Sequence, residues 1–361
     1  MQRNWSNNHL LHLDKPLLLG LILLSCLGLL ILYSAGNQNT DMMLRQLVRM
    51  FLGFGIMLGL AQIRTQHLAP WVPWVYLGGV ILLIMVLLVG EIRNGSQRWL
   101  FGFQPSEVMK LAVPIMVTWY LADKPLPPSY GRLFLATILI MIPVLLVAKQ
   151  PDLGTALLIA SSGLFVLLLA GISWRLMFGV ISLAALFAPI VWEYVLHEYQ
   201  RERIRTLFDP ERDPLGHGYH IIQSKIAIGS GGLYGKGWLN GTQSHLQFLP
   251  ERSTDFIFAV YSEEFGLVGV LILLCIYFFI LSRGMYIALQ AQDSFGRLLA
   301  GSLILTFFVY IFVNMGMVSG ILPVVGVPLP LISYGGTSIV TMMASFGLIM
   351  AVHTHRRFLS R

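Results

Sequence analysis

Charge is what this sequence has least of. Only 11% of its 361 residues are Asp, Glu, Lys or Arg, against 56% hydrophobic types, where a soluble protein carries about 25% charged residues. Too few polar side chains remain to cover a water-soluble globule, and disorder, which needs low hydrophobicity and high charge, is excluded. Cysteine is nearly absent. Cys26 and Cys275 lie inside apolar runs, which speaks against a disulfide framework and a cysteine metal site. The histidines show no H-x-x-H or H-E-x-x-H spacing, so no dedicated metal site is expected. The glycine-rich stretch Gly229-Ser-Gly-Gly-Leu-Tyr-Gly-Lys-Gly237 lacks the G-x-x-x-x-G-K-[ST] pattern, so no nucleotide is expected. No basic run is dense enough for nucleic acid. The excess of 24 Lys+Arg over 17 Asp+Glu instead fits cytoplasmic loops and attraction to membrane lipid. No small-residue cleavage site follows the first apolar run, so no cleavable signal peptide is expected.

What the sequence has in abundance is apolar runs of spanning length. They fall at about 16–34, 44–61, 71–89, 104–122, 132–148, 153–171, 173–191, 256–282, 297–322 and 333–352, by the rule of roughly 20 residues per span. The expectation is an all-α polytopic membrane protein: one transmembrane domain over 1–361 with about ten helices and a large extracytoplasmic loop at about 192–255. With the amino end inside, the inner segments hold eleven Lys/Arg and the short outer ones six. That bias places both termini in the cytoplasm. The loop divides into a charged stretch, Glu198 to Arg205, expected to be helical; a turn-rich stretch, Asp209 to Gly216; and an amphipathic, Gly-rich stretch from Tyr219 to Asn240 that either lies in the interface or re-enters the bilayer.

Ionisable groups near hydrocarbon are costly and therefore candidates for function. Asp255 lies in Leu249-Pro-Glu-Arg-Ser-Thr-Asp-Phe-Ile-Phe258, where Ser253 or Thr254 is placed to cap the eighth span. Two readings of Asp255 stand level: a helix-start carboxylate held by the macrodipole, or a general base made more basic by burial. Glu107 and Lys110, three residues apart in the fourth span, either satisfy each other or line a polar cavity below Asp255. Asp152, in Lys149-Gln-Pro-Asp-Leu-Gly-Thr155, suits a helix cap, and Lys149 can meet a phosphate as a point charge. Arg45, Arg49, Arg93, Arg98, Arg201, Arg203, Arg205, Lys225, Lys236 and Arg252 form an outer set of cations. These either snorkel to headgroups or neutralise a diphosphate.

The carboxy-terminal third resembles a known family. Asn314, followed after five residues by Gly320-Ile-Leu-Pro-Val-Val-Gly-Val-Pro-Leu-Pro-Leu-Ile-Ser-Tyr-Gly-Gly-Thr-Ser338, is similar to the signature of the SEDS proteins (shape, elongation, division and sporulation). Gly95-Ser-Gln-Arg-Trp-Leu100 with Gln104-Pro-Ser-Glu-Val-Met-Lys110, Gln150-Pro-Asp-Leu-Gly-Thr155, Gly229 to Gly237 and Leu249 to Phe258 resemble its other blocks, in order. The short amino tail and the wording Gly-Ile-Leu-Pro-Val-Val-Gly-Val-Pro are closer to the elongation branch than to the division branch. The resemblance implies a peptidoglycan glycosyltransferase that polymerises lipid II at the outer face of the cytoplasmic (inner) membrane during cell elongation, releasing undecaprenyl diphosphate. It implies a class B penicillin-binding protein as crosslinking partner, docked near spans eight and nine, within the elongation machinery. Asp255 matches the family's essential loop aspartate, Glu107 and Lys110 its intramembrane pair, and Asp152 a further acid.

On this reading Asp255 is the base, and the cations, or a divalent ion (Mg2+ or Mn2+), meet the leaving diphosphate. Residues 229–241 form a mobile roof over the strand. The rival class is a lipid II flippase, suggested by ten spans and the Pro/Gly-broken segment Ile321 to Gly336. The gathering of polar blocks on one side and the lack of an evident inverted repeat favour the enzyme.

Overall fold

In a computed structural model, the described residues are 13–93, 96–100, 102, 104–195, 198–212, 216–242 and 251–354. All ten apolar runs are helices: α1 (Lys15–Ala35), α2 (Thr40–Gln62), α3 (Val72–Val89), α4 (Pro105–Ala122), α5 (Tyr130–Ala148), α6 (Leu153–Leu169), α7 (Trp174–Ile190), and, after the loop region, α10 (Ile257–Leu289), α11 (Ser294–Val318) and α12 (Thr337–Thr354). The loop region holds α8 (Glu198–Phe208) and α9 (His217–Ser230). Six of the ten are long and apolar enough to cross a bilayer, each including its flanking turn where present, and α6, α7 and α12 are shorter apolar helices. The remaining one, α4, carries Glu107 and Lys110. Helices satisfy their own backbone groups, the condition for crossing hydrocarbon. The protein is a multi-pass membrane protein. A two-stranded hairpin, β1 (Glu91–Arg93) and β2 (Ser96–Trp99), joins α3 to α4.

The helix ends follow local chemistry. Asp14 caps α1 by accepting from the Leu17 amide at 2.9 Å, Asn39 caps α2 through the Met42 amide at 3.0 Å, and Asp152 caps α6 through the Thr155 amide at 3.1 Å. Each satisfies an amide that the first turn leaves without a partner. Bulky side chains such as Phe51, Leu88, Phe134 and Phe278 point outward, where acyl chains would cover them. Trp71 and Trp74 lie exposed at one end of α3, the position of an interfacial aromatic belt.

Two irregular segments are built into the bundle. The first is a break in α10 at Gly266, whose φ of 62° is natural only for glycine. The chain from Gly231 to Gly237 packs against this break. Lys236 and Gly237 donate their amides to the carbonyls of Glu263 and Glu264, both at 3.0 Å, and the amides of Leu267 and Val268 donate to Gly232 and Leu233 at 3.0 and 3.1 Å. The glycine-rich stretch, expected as a mobile roof, is therefore tied through backbone bonds to a transmembrane helix, because the broken helix leaves groups that need partners.

The second is the non-helical stretch between α11 and α12. Val327, Leu329, Leu331, Ile332 and Ser333 are buried there, so its backbone polar groups cannot turn to water. Side chains serve it instead. The Tyr277 hydroxyl donates to the Pro330 carbonyl at 2.8 Å, Asn314 Nδ2 to the Val327 carbonyl at 2.7 Å, and Gln46 Nε2 to the Ser333 carbonyl at 3.0 Å. The Leu329 amide donates to Ser333 Oγ at 2.7 Å. This stretch is the family-like signature read from the sequence.

Candidate functional site

Asp255 sits one residue before the cap of α10, at the end of the bundle shared with the loop region. The sequence placed Ser253 or Thr254 as the cap; instead Phe256 holds that position and no side chain caps the helix. The Thr254 hydroxyl turns back to Glu251, donating to its carbonyl at 3.1 Å, and the carbonyls of residues 253–255 are occupied elsewhere. The Tyr334 amide donates to the Ser253 carbonyl at 2.7 Å, Ser333 Oγ to the Thr254 carbonyl at 2.6 Å, and Asn314 Nδ2 to the Asp255 carbonyl at 2.9 Å. Three consecutive peptides are thus fastened to the buried irregular stretch. The Asp255 side chain is left half-buried, with Oδ2 beside Gly326. Burial first, and the Glu251 carboxylate second, push its carboxyl up to about 7, while Arg203 draws it down. That balance leaves its carboxyl well above the usual carboxylate range.

Asp152 approaches the same stretch from the other side. The start of α6 packs so closely that a side chain at Gly154 would meet the Val325 carbonyl at 2.6 Å. Asp152 Oδ2 accepts from Gln104 at 3.3 Å and lies 3.5 Å from Arg98, and Arg98 also donates to the Pro151 carbonyl at 2.7 Å. Asp152 is therefore a cap and an ion-pair partner together.

Glu107 and Lys110 are buried and paired at 2.6 Å. Thr341 of α12 donates to the other Glu107 oxygen at 3.2 Å, and the Lys110 ammonium lies 5.3 Å from the Tyr310 ring centre. The adjoining voids are about 20 Å³ and 10 Å³, and Tyr310 borders both. Glu107 and Lys110 thus satisfy each other, with Thr341 on the second carboxylate oxygen, as a buried charge pair requires.

The cations divide. Arg49 stacks on Tyr334 at 4.7 Å and faces Gly336, which places it on the irregular stretch, with Arg45 exposed one turn away on α2. Arg203 acts on Asp255, and Lys225 lies across Gly320 at the end of α11. Arg252 is partly buried and Lys149 is exposed. Lys236 is held by buried Glu263 at 2.7 Å and by Thr242 at 2.7 Å. Arg205 and Arg201 pair with Glu198 on the surface. The side chain of Arg93 lies outside the described residues, as do His197 and His245.

Sequence reasoning assigned no role to five contributors. Gln46, Asn314 and Ser333 hold the backbone, and polar residues inside apolar runs were the available signal. Glu263 and Glu264, both buried in α10, carry the same signal more strongly, as ionisable groups inside an apolar run. Glu264 is bonded to Ser34 of α1. Among the described residues no three His, Cys, Asp or Glu side chains gather as a metal site.

Residues 9–358 match the family of cell cycle proteins typified by FtsW, RodA and SpoVE. The chain belongs to this family. Among SEDS relatives it is 55% identical over 354 residues to the peptidoglycan glycosyltransferase MrdB of Escherichia coli (strain K12), covering 97% of this chain and 96% of that protein. It is 31% identical to the peptidoglycan glycosyltransferase RodA of Treponema pallidum, covering 95% and 98%. Among solved structures, a chain of a peptidoglycan synthase complex that coordinates polymerization and crosslinking superposes with a TM-score of 0.82 at 34% identity, covering 94% of this chain and 97% of that one. The rod shape determining protein RodA of Thermus thermophilus gives 0.71 at 28%, covering 97% and 98%. SEDS membership accounts for the buried irregular stretch, since the family-like signature and that stretch are the same residues.

Proposed function

We infer that this protein is a peptidoglycan glycosyltransferase that polymerises lipid II, with Asp255 as general base. The observation that carries this reading is the Asp255 carboxyl, near pH 7 in its affinity for a proton, on a backbone whose three carbonyls are each bonded from the irregular stretch. A base must reach its proton in fixed geometry and match the working pH. In the reaction, a sugar 4-hydroxyl attacks the anomeric carbon of a second lipid-linked sugar. Its proton passes to Asp255, the new C–O bond forms, and the bond to the lipid diphosphate breaks. Arg49 and Arg203, with Arg45, Arg98, Lys149, Lys225 and Arg252 around them, supply positive charge to the departing phosphates. Lys236 is engaged with Glu263 and acts through the roof segment.

A divalent ion, if used, would add positive charge at the departing phosphates; no step is assigned to it. The Lys/Arg bias of the sequence supports both termini in the cytoplasm and Asp255 at the opposite face of the inner membrane. The likeness to a synthase-complex chain supports a class B penicillin-binding protein as partner.

The test is polymerisation of lipid II by the purified chain in detergent, with and without that partner. Glycan formed by the wild type and none by Asp255→Ala is expected. A flippase would make no polymer where no two compartments exist, and polymer made by the alanine variant would remove Asp255 from the role of base.

A further inference from the structure

A cavity of about 670 Å³ opens on the face of the bundle opposite Asp255, where α4 ends and α5 and α11 begin. Its charged lining is Asp123, Lys124, Arg132 and Asp293: two cations and two carboxylates, with no net charge. Asp123, Lys124 and Asp293 are exposed at its rim, and Arg132 is half-buried within. The Arg132 guanidinium lies 5.5 Å from the Tyr120 ring centre and closes α4 by donating to the carbonyls of Tyr120 and Leu121 at 2.8 and 2.9 Å. Both bonds leave from Nη2, so the other guanidinium edge remains for a ligand. Asp293 stands at the cap of α11 without making a cap bond. Trp119 and Phe295 supply apolar wall. The exposed indoles of Trp71 and Trp74 stand just beyond lining residue Ala69, marking this depth as the membrane interface.

We propose that this cavity binds the headgroup of a zwitterionic phospholipid bearing a primary ammonium, that is, a phosphoethanolamine lipid. Its phosphate meets Arg132 and Lys124, its ammonium meets Asp123 and Asp293, and its acyl chains follow the aromatic wall into the bilayer. An anionic lipid would set its phosphate against two carboxylates with no cation of its own to answer them. A choline lipid carries positive charge but has no N–H to donate to them. The site is independent of the polymerisation chemistry.

The experiment is native mass spectrometry of the full chain, purified in detergent and incubated with dioleoyl phosphatidylethanolamine, phosphatidylglycerol or phosphatidylcholine. One tightly retained ethanolamine lipid is expected, held roughly tenfold better than either of the others, the worth of about one charge-assisted hydrogen bond. The double variant Asp123→Asn/Asp293→Asn, on exposed positions that leave Arg132 and its helix cap intact, should lose that preference and favour phosphatidylglycerol. Lys124→Gln should weaken retention of all three. Equal retention of the three lipids by the wild type, or an unchanged preference in the double variant, overturns the proposal; the first result is also what a protein-docking surface would give.

Discussion

Replacing Asp255 by Asn should abolish polymerisation and at the same time stabilise the fold, but only where the carboxylate would be charged. An aspartate in an unfolded chain ionises near 3.9; here burial and Glu251 lift the folded value to about 7. The folded state therefore holds its proton more tightly than the unfolded state, and wild-type stability falls as pH rises between those two values. Above the upper value the whole penalty is present. At 1.36 kcal/mol per pK unit it is bounded at roughly 4 kcal/mol, and the half-exposed edge of the carboxylate reduces this to on the order of 2 kcal/mol. Asn keeps the shape and loses the charge. Thermal unfolding of the detergent-solubilised chain should show Asp255→Asn several degrees more stable than wild type at pH 8 and only about a third as much at pH 5, with no glycan formed at either. A variant that is equally stabilised at both pH values, or destabilised at pH 8, would show that the site does not hold a strained carboxylate.

The same electrostatics predicts opposite shifts from two neighbours. Arg203→Gln should move the acidic limb of the activity–pH profile to higher pH, and Glu251→Gln to lower pH, since the first lowers and the second raises the Asp255 value; initial rates from pH 5.5 to 8.5 check both. Asn314→Leu removes the donor to two carbonyls and should cost about 2–4 kcal/mol in thermal unfolding, with polymerisation falling further than stability alone explains. Glu107→Gln leaves Lys110 buried beside a neutral partner and should destabilise by about 3–5 kcal/mol, while Glu107→Gln combined with Lys110→Met recovers most of it. Polymerisation recovered with the fold would mark the pair as support, whereas recovery of the fold alone would mark it as orienting substrate. Burial raises the Asp14 carboxyl, but bonds from His353, Arg283 and the Leu17 amide outweigh it, leaving Asp14 well below the usual carboxylate range. Its contribution is present above about pH 4 and lost as pH falls toward the folded value, so Asp14→Asn should flatten the acid limb of the stability profile.

The ten helices were legible because crossing a bilayer leaves little freedom: long apolar runs with satisfied backbones are the one local solution, and each predicted run became a helix, with ends moved by up to seven residues at α10. Asp255 was legible as an ionisable group beside an apolar run, but its cap was not. Ser253 and Thr254 have the composition of capping residues, yet their carbonyls are claimed by Ser333 and Tyr334, 79 and 81 residues on in sequence. Such a contact leaves no local trace. The roof was misjudged for a similar reason: glycines at 231–237 read as freedom, whereas they let the backbone come close to the broken helix at Gly266 and bond to it.

These failures share one cause, and it bears on how the site works. In a membrane bundle the usual helix is self-sufficient, so every departure from it creates backbone groups that must be answered by a distant partner. The two departures here are the break in α10 and the stretch between α11 and α12. Asp255 precedes the helix that carries the first, eleven residues before the break, and its backbone is bonded to the second. The groups that answer them, Gln46, Tyr277, Asn314, Ser333 and the Gly231–Gly237 backbone, come from α2, α10, α11, the stretch itself and the loop after α9. Holding one carboxylate in place thus engages α2, α10, α11 and the stretch that follows α11. A shift of any one of these elements would move Asp255 without touching it, because the bonds that fix its backbone come from them.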